Sequence, residues 1–368
     1  MKKLLSLFLC FAFLFSVGCG PKGNGQGDVK EVKNIILLIG DGMGTEQIRA
    51  GSLYKNGGLY METLPNRVLV ETNNVDGDTT DSGAGGTAIA TGVKTRNGYV
   101  GKNPAGEDLE TIVDIAASLN KKTGLITTED LMGTTPMDFA GHATSREDYA
   151  TLAESAATTS NVNLFISTGN VNDMFYLSGY VNITSVNKIS ASKSNKIIGS
   201  FPIDATAESM SDYSFDRMVT EALEYLSKNN PNGFFLMAEG AHIDHGGHAN
   251  DIYYMLRELL AFDLGVKAAV EWAKKRNDTV VLVTADHETG GLQLAEGVTS
   301  ANLLDEDDDG NLINVTWNSE HHTNADVYLY LYGLKMDYSE YSSFERADRI
   351  SNTNVFDIMK SFFVPSNN

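Results

Sequence analysis

Ten consecutive residues of this chain, Glu239-Gly240-Ala241-His242-Ile243-Asp244-His245-Gly246-Gly247-His248, hold three imidazoles and two carboxylates. Some forty residues on, an apolar run at 280–283 ends in Thr284-Ala285-Asp286-His287. Imidazole and carboxylate donors without a cysteine suit zinc at an open, catalytic position better than a closed structural site. Asp244 and His248 stand four apart, so one helical turn would put both on the same face. A lone His or Asp is ordinarily a surface or turn residue. Two clusters, each just past an apolar run, point instead to a metalloenzyme.

Other segments add chemistry of the same kind. Gly40-Asp41-Gly42-Met43-Gly44 lacks the G-x-G-x-x-G spacing of a dinucleotide loop. It reads as a carboxylate held where the backbone can crowd close to a metal. Thr80-Asp81-Ser82-Gly83-Ala84-Gly85-Gly86 suits the start of a helix. There the backbone N–H groups and the dipole favour a phosphate oxygen. A plain N-cap by Asp81 or Ser82 is the alternative. Gly141-His142-Ala143-Thr144-Ser145-Arg146 offers a guanidinium whose planar fork fits phosphate or carboxylate. Glu320-His321-His322-Thr323 adds two candidate imidazoles.

The elements that must position these groups are legible as short apolar runs at 35–39, 67–71, 124–127, 163–167, 233–238 and 280–284, with a further strand at 327–331. Amphipathic helix patterns lie between them. Leu109, Ile112, Val113, Ala116 and Leu119 share one face, as do Met218, Val219, Ala222, Leu223 and Leu226. A third face runs through Leu256, Leu259, Leu260 and Val266, with Asp263 as its polar exception. Strands alternating with helices indicate an α/β fold with a mostly parallel central sheet and helices on both faces. Asp41, Thr135, Glu239 and Asp286 all fall just past strand ends, where parallel sheets bind ligands. Residues 171–214, rich in Ser, Asn and Thr, read as irregular surface with a weaker strand or two.

With those motifs in that order, the chain from about Lys33 to Gly333 resembles the alkaline phosphatase family. The resemblance implies that Asp41 is shared between a zinc and a magnesium ion, and that Ser82 is the serine that becomes phosphorylated. It further implies that Asp81 orients the phosphate-binding Arg146. Thr135, before Pro136, and Glu239 would complete the magnesium site. Asp244, His248 and His322 would hold one zinc, and Asp286 and His287, with Asp41 and Ser82, the other. The activity so implied is hydrolysis of phosphate monoesters through a phosphoserine, with two Zn²⁺ and one Mg²⁺ as cofactors. Two departures stand out. Gly133 lies two residues before Thr135, where family members commonly carry Asp or His, and its lack of a side chain leaves the magnesium site one partner short. Asp138 reads as a solvent-facing residue, with a substitute donor for that site as the alternative. His245 follows Asp244, where many bacterial members have Lys or Trp. With 33 residues between His287 and His321, a minimal form without a large inserted domain is expected.

Composition narrows the alternatives. The 368 residues are 42% hydrophobic and 21% charged, as in a globular protein. A net charge of −20 argues against nucleic acid as a partner and would repel an anionic substrate at long range. Lys2 and Lys3 precede an apolar stretch at 4–17 that reads as an export signal. Ser16-Val17-Gly18-Cys19 resembles a lipoprotein cleavage box. The expected layout is a signal at 1–18, a glycine-rich tether at 19–32 and a catalytic domain at 33–368. Cys19 would carry lipid on an exported protein, with a soluble periplasmic or secreted form as the alternative. Cys10 and Cys19 are the only cysteines, so the domain must hold without a disulfide. A homodimer is expected by family analogy. Rival readings are a diesterase, sulfatase or mutase on the same metal scaffold, or a tethered metal- or phosphate-binding protein without turnover.

Overall fold

A computed structural model describes residues 31–334 and 348–364. The expected signal at 1–18, with Cys10, and the expected tether with Cys19, apart from residues 31 and 32, lie outside the described residues. Fourteen strands are described. The first eight are β1 (Asn34–Gly40), β2 (Asn66–Glu71), β3 (Lys122–Asp130), β4 (Leu164–Thr168), β5 (Val181–Ile183), β6 (Ile197–Ser200), β7 (Phe234–Gly240) and β8 (Thr279–Thr284). Four short ones follow, β9 (Glu288–Thr289), β10 (Leu292–Leu294), β11 (Val315–Trp317) and β12 (His322–Thr323), then β13 (Val327–Tyr332) and β14 (Arg349–Ser351). Ten of them form one sheet in the order β14-β2-β13-β8-β1-β7-β3-β4-β6-β5. Only β13 runs against its neighbours, pairing antiparallel with both β2 and β8. The sheet is thus mostly parallel, as the alternating pattern implies.

The centre of that sheet is β8, β1 and β7, whose residues are all buried. Continuous aliphatic runs such as Ile35–Ile39 make sense only for strands covered on both faces. Each such buried side chain contributes about 1.5–3 kcal/mol of hydrophobic stabilisation. The covering helices are α1 (Thr45–Lys55), α2 (Ser82–Thr91), α3 (Ile112–Ser118), α4 (Thr134–Asp138), α5 (Tyr149–Thr158), α6 (Asp173–Leu177), α7 (Phe215–Ser227), α8 (His242–His248), α9 (Ile252–Ala273) and α10 (Thr353–Phe363). Successive strand residues point to opposite faces. Phe234 of β7 meets Trp272 of α9 edge-on, whereas Phe235 stacks on Phe139 at the end of α4. Helices α1, α7 and α9 therefore pack on one face, and α2, α3, α4 and α10 on the other.

Two details depart from the sequence pattern. The helix expected from Leu109 to Leu119 is shorter, because Thr111 and Asp114 form a capping box that starts α3 at Ile112. Leu109 stays in the preceding loop, where its carbonyl accepts from His142 Nε2 at 3.0 Å. The irregular region at 171–214 supplies β5 and β6, which form the far edge of the sheet. In the acidic run at 305–310, the exposed Asp307 carboxylate accepts the backbone N–H groups of Asp309 and Asn311, closing its own turn.

Asp263, the polar exception on α9, is buried. Its carboxylate accepts Tyr60 N at 2.8 Å and Met61 N at 3.0 Å, the first donors of a 3-10 turn at Met61–Thr63, and pairs with Lys55 Nζ at 2.8 Å. It pins the end of α1 and the following turn against α9. Asp263→Ala would leave the buried Met61 N–H and the part-buried Tyr60 N–H without acceptors, at a cost of about 1–3 kcal/mol. Urea unfolding should show that loss of stability with the metal-binding capacity unchanged, and an unaltered midpoint would refute this role for Asp263.

Candidate metal centre

Strands β8, β1, β7 and β3 are neighbours in the sheet and parallel, so their carboxyl ends open side by side. Asp286 follows β8, Asp41 follows β1, Glu239 is the penultimate residue of β7, and Glu129 that of β3. The turn after β1 is tight. Gly42 has φ +71°, its N–H points to Asp286 Oδ1 at 3.4 Å, and a Cβ there would lie 2.7 Å from Asp244 Cα. Only glycine permits both the left-handed backbone and the close approach.

A first cluster forms where α8 starts just beyond β7. Asp244 and His248 lie one turn apart on α8, with His248 Nε2 3.2 Å from Asp244 Oδ2. His322 reaches them from far along the chain, its Nε2 3.5 Å from Asp244 Oδ1 and 3.1 Å from His248 Nε2. A two-residue ladder delivers it, since β12 pairs antiparallel with β9 and sets His322 opposite Thr289. Glu288 clamps that ladder. Its buried carboxylate accepts Gln47 Nε2 at 2.6 Å, the N–H groups of Gly291 and Leu292, and the Thr323 hydroxyl. His321, the other imidazole of the pair, is exposed and does not enter the cluster.

The second cluster is Asp41, Asp286 and His287, all buried, with ligand atoms close enough to share one ion. His287 Nε2 lies 3.2 Å from Asp286 Oδ2, 3.6 Å from Asp41 Oδ1 and 3.3 Å from Ser82 Oγ. Each imidazole is oriented through its Nδ1: His248 on the Glu320 carbonyl at 2.6 Å, His322 on the Thr80 carbonyl at 3.0 Å, and His287 on Thr289 Oγ1 at 3.3 Å. All three Nε2 atoms therefore face the centre, the arrangement in which histidines ligate metals.

Ser82 is the first residue of α2, and Asp81 caps the helix through Oδ1 to Ala84 N at 2.9 Å. Asp81 Oδ2 accepts Gly98 N at 2.8 Å and Arg146 Nη1 at 3.4 Å. The cap and the phosphate-site readings of this segment are thus compatible. Glycines let α2 come this near, since a Cβ on Gly85 would lie 2.9 Å from the Asp286 carbonyl and one on Gly86 2.1 Å from Asp138 Oδ2. Asp138 is fully buried, with Oδ1 accepting Thr87 Oγ1 at 3.0 Å. The solvent-facing reading of Asp138 is therefore wrong, because α4 turns that side chain inward against α2.

The remaining group is rich in oxygen. Glu239 and Thr135 are buried together, and Glu239 Oε2 accepts Thr127 Oγ1 at 2.5 Å from the paired position on β3. Glu129, absent from the sequence-based set, stands beside them. Its signal is the one shared by Asp41, Glu239 and Asp286, an acid at the carboxyl end of a parallel strand. From Arg146 a cleft of about 540 Å³ opens past Glu129, Gly133, Tyr149 and Asn170. His245 is exposed, 3.7 Å from Glu129 and stacked on His242.

So many buried carboxylates disturb one another. Burial, and then the charge of Asp286, push Asp41 well above the usual carboxylate range. Burial and Asp244 lift Asp286 to about 7, and burial and Glu129 lift Glu239 to about 8. Burial holds His287 well below its ordinary value, so its ring is neutral and able to ligate. Burial opposes the Asp244 charge, but the His248 hydrogen bond and the other two imidazoles keep that acid low. Asp41 Oδ1 and Asp286 Oδ2 are buried without a hydrogen-bond partner. A cation answers both features, since its charge outweighs the repulsion and its coordination uses the lone pairs. The donor sets fit: imidazole with carboxylate for zinc-like ions, oxygen alone for a hard cation.

A family model for alkaline phosphatase matches residues 32–176 and 197–312. The chain belongs to the alkaline phosphatase family. Over 294 residues it is 32% identical to alkaline phosphatase 4 of Bacillus subtilis, which covers 73% of this chain and 64% of that protein. Over 332 residues it is 30% identical to the alkaline phosphatase of Escherichia coli, covering 70% of each. The solved alkaline phosphatase of the Antarctic bacterium TAB5 is 28% identical, with a TM-score of 0.78 over 91% of this chain and 98% of that one. A variant of that enzyme, with a histidine replaced by glutamate, was solved with Mg bound in its M3 site. The Thermus thermophilus enzyme, 20% identical with a TM-score of 0.77 over 95% of this chain and 96% of that one, shows the same fold.

For this alkaline phosphatase family member, Glu288 should act through His322. Glu288→Ala would loosen the β9–β12 ladder without removing any candidate ligand. Zn²⁺ affinity, read by competition with a chromogenic chelator, should fall by roughly 10–100-fold. A lowered melting temperature with unchanged Zn²⁺ affinity would leave Glu288 a purely structural residue.

Proposed function

We propose that this protein hydrolyses phosphate monoesters through a phosphoserine on Ser82, at a centre of two Zn²⁺ and one Mg²⁺. The observation that carries the reading is the Ser82 hydroxyl at a helix N-terminus, 3.3 Å from His287 and beside two acids with unpartnered buried oxygens. Asp244, His248 and His322 would hold one zinc, and Asp41, Asp286, His287 and Ser82 the other. Asp41, Thr135 and Glu239 would hold the magnesium, a site type that the Mg-bound TAB5 variant supports. When bound, such ions supply Lewis-acid charge that lowers hydroxyl pKa values and offsets the charge of the phosphate.

The chain's own groups do the rest. Ser82 Oγ, having released its proton to solvent, attacks phosphorus. An Oγ–P bond forms as the ester P–O bond breaks, and the alcohol leaves with a proton from solvent. A water oxygen then attacks the phosphoserine, the P–Oγ bond breaks, and Ser82 regains a proton as phosphate departs. Arg146, held toward the site by Asp81, would bind non-bridging oxygens with the donors that Asp81 does not use. The free N–H groups at the start of α2 add to that anion hold. The cleft beyond Arg146 leaves room for alcohols of varied shape, in keeping with a broad substrate range. No helix among the described residues is long and apolar enough to cross a membrane. The Lys-led apolar stretch ending in Val17-Gly18-Cys19 supports lipid at Cys19 of an exported chain, testable by mass spectrometry of the mature N-terminus.

Two measurements test the reading. Ser82→Ala should lower turnover by roughly 10³-fold or more and abolish acid-stable labelling by a radioactive monoester, with Zn²⁺ still bound. Label on another residue of the wild-type protein would overturn the covalent assignment. Arg146→Ala should reduce kcat/KM for monoesters by about 10²–10³-fold and weaken inhibition by inorganic phosphate. Diesters, with fewer free oxygens to hold, should suffer less, and equal losses on both would make Arg146 a structural residue.

A further inference from the structure

Gly133 has no side chain to offer the oxygen-rich cluster two residues away at Thr135, and its missing side chain was expected to leave that cluster one partner short. The structure fills the gap from another direction. A Cβ built on Gly133 would meet Glu129 Oε2 at 3.1 Å and Glu129 Cδ at 3.3 Å. The Glu129 carboxylate thus lies where a side chain at 133 would begin. We infer that Glu129, from the end of β3, is a fourth donor to the hard-cation site of Asp41, Thr135 and Glu239, standing in for the side chain Gly133 lacks.

Several observations converge on this placement. Thr127 ties the two glutamates to one spot, donating its hydroxyl to Glu239 Oε2 at 2.5 Å and accepting Glu129 N at 3.1 Å. Among the described residues, no N–H or O–H donates a hydrogen bond to the Glu129 carboxylate, and the imidazole beside it, His245 Nε2, lies 3.7 Å away. The charge of Glu129 is the strongest of the neighbouring charges felt by Glu239, and Asp41 feels it too. With Glu129 the donors would be three carboxylates and a hydroxyl, an all-oxygen chemistry that favours Mg²⁺ over zinc. The backbone leaves little alternative, since a Cβ at 133 would also lie 2.8 Å from the Asp130 carbonyl. Glycine and Glu129 are therefore complementary: a larger residue at 133 would displace the carboxylate.

The inference rests on the magnesium reading proposed above, and the tests separate the two. Mg²⁺ binding to the Zn²⁺-loaded, full-length protein would be measured by titration calorimetry. If the wild type binds no Mg²⁺, both that reading and this inference fall. If it binds, Glu129→Gln should weaken Mg²⁺ affinity by roughly 10–100-fold while Zn²⁺ content holds. Equal Mg²⁺ affinity in Glu129→Gln and wild type would overturn the inference alone. His245→Ala distinguishes a donor from an ion-pair partner: affinity should hold or tighten as Glu129 is released to the cation. A loss in His245→Ala as large as that in Glu129→Gln would reduce Glu129 to pairing with His245. A wild-type crystal soaked in Mn²⁺ gives a readout independent of variant folding. Its anomalous peak should have the Glu129 carboxylate among its ligands, and a peak held by Asp41, Thr135 and Glu239 with Glu129 turned away would overturn the inference.

Discussion

Repulsion among buried acids is the constraint around which this molecule is arranged. Parallel strands β8, β1, β7 and β3 end side by side, and each delivers a carboxylate to the same edge. Asp41, Glu239 and Asp286 are nearly or fully buried there, where bulk water cannot screen them. Buried carboxylates of like charge cannot all ionise without a compensating charge. The sheet nevertheless fixes them, because the aliphatic strands behind them pack on both faces. Hydrophobic burial holds the acids together, and cation binding makes the arrangement favourable. Folding and metal uptake are therefore coupled in such a centre.

That division explains what was legible in the amino-acid sequence. Apolar runs and strand-end acids are local features, so the sheet, Asp41, Glu239, Asp286 and the α8 pair Asp244 and His248 could be read directly. His321 and His322 stood as two candidate imidazoles, and only the family resemblance chose His322 between them. Its place depends on β12 folding back onto β9, a pairing of two residues that no periodicity reveals. Glu288 was invisible for the same reason, since its donors come from Gln47, Gly291, Leu292 and Thr323. Asp138 was misplaced because a polar residue on a five-residue helix has no amphipathic pattern to show which side faces in. Thr111 shortened α3 through side-chain capping, which competes locally with propensity.

Close approach is the second theme. Gly42, Gly85 and Gly86 have no packing role as side chains, yet a methyl group at any of them would strike a site residue at under 3.0 Å. Glycine inside a helix ordinarily costs about 0.5–1 kcal/mol relative to alanine. In α2 that cost is offset by what proximity allows, with the helix N-terminus set against Asp286 and His287. The Gly-rich segment is thus a spacing device, and its composition reflects distance to the strand ends more than flexibility.

Asp81 joins these themes in one side chain. Its Oδ1 caps α2, fixing where Ser82 begins the helix, and its Oδ2 holds both Gly98 N and Arg146 Nη1. The position of the hydroxyl and the direction of the guanidinium therefore share an anchor. In a chain of net charge −20, an anionic ester is repelled at long range and must be held by positive charge at the centre itself. Arg146 is partly exposed and close to several acids, so an unanchored guanidinium would collapse onto whichever carboxylate lay nearest. Pairing it with an acid that already serves as a helix cap gives it a fixed partner, and Nη1 is the donor that Asp81 takes. The fold therefore anchors the start of the serine's helix and the arginine on a single carboxylate.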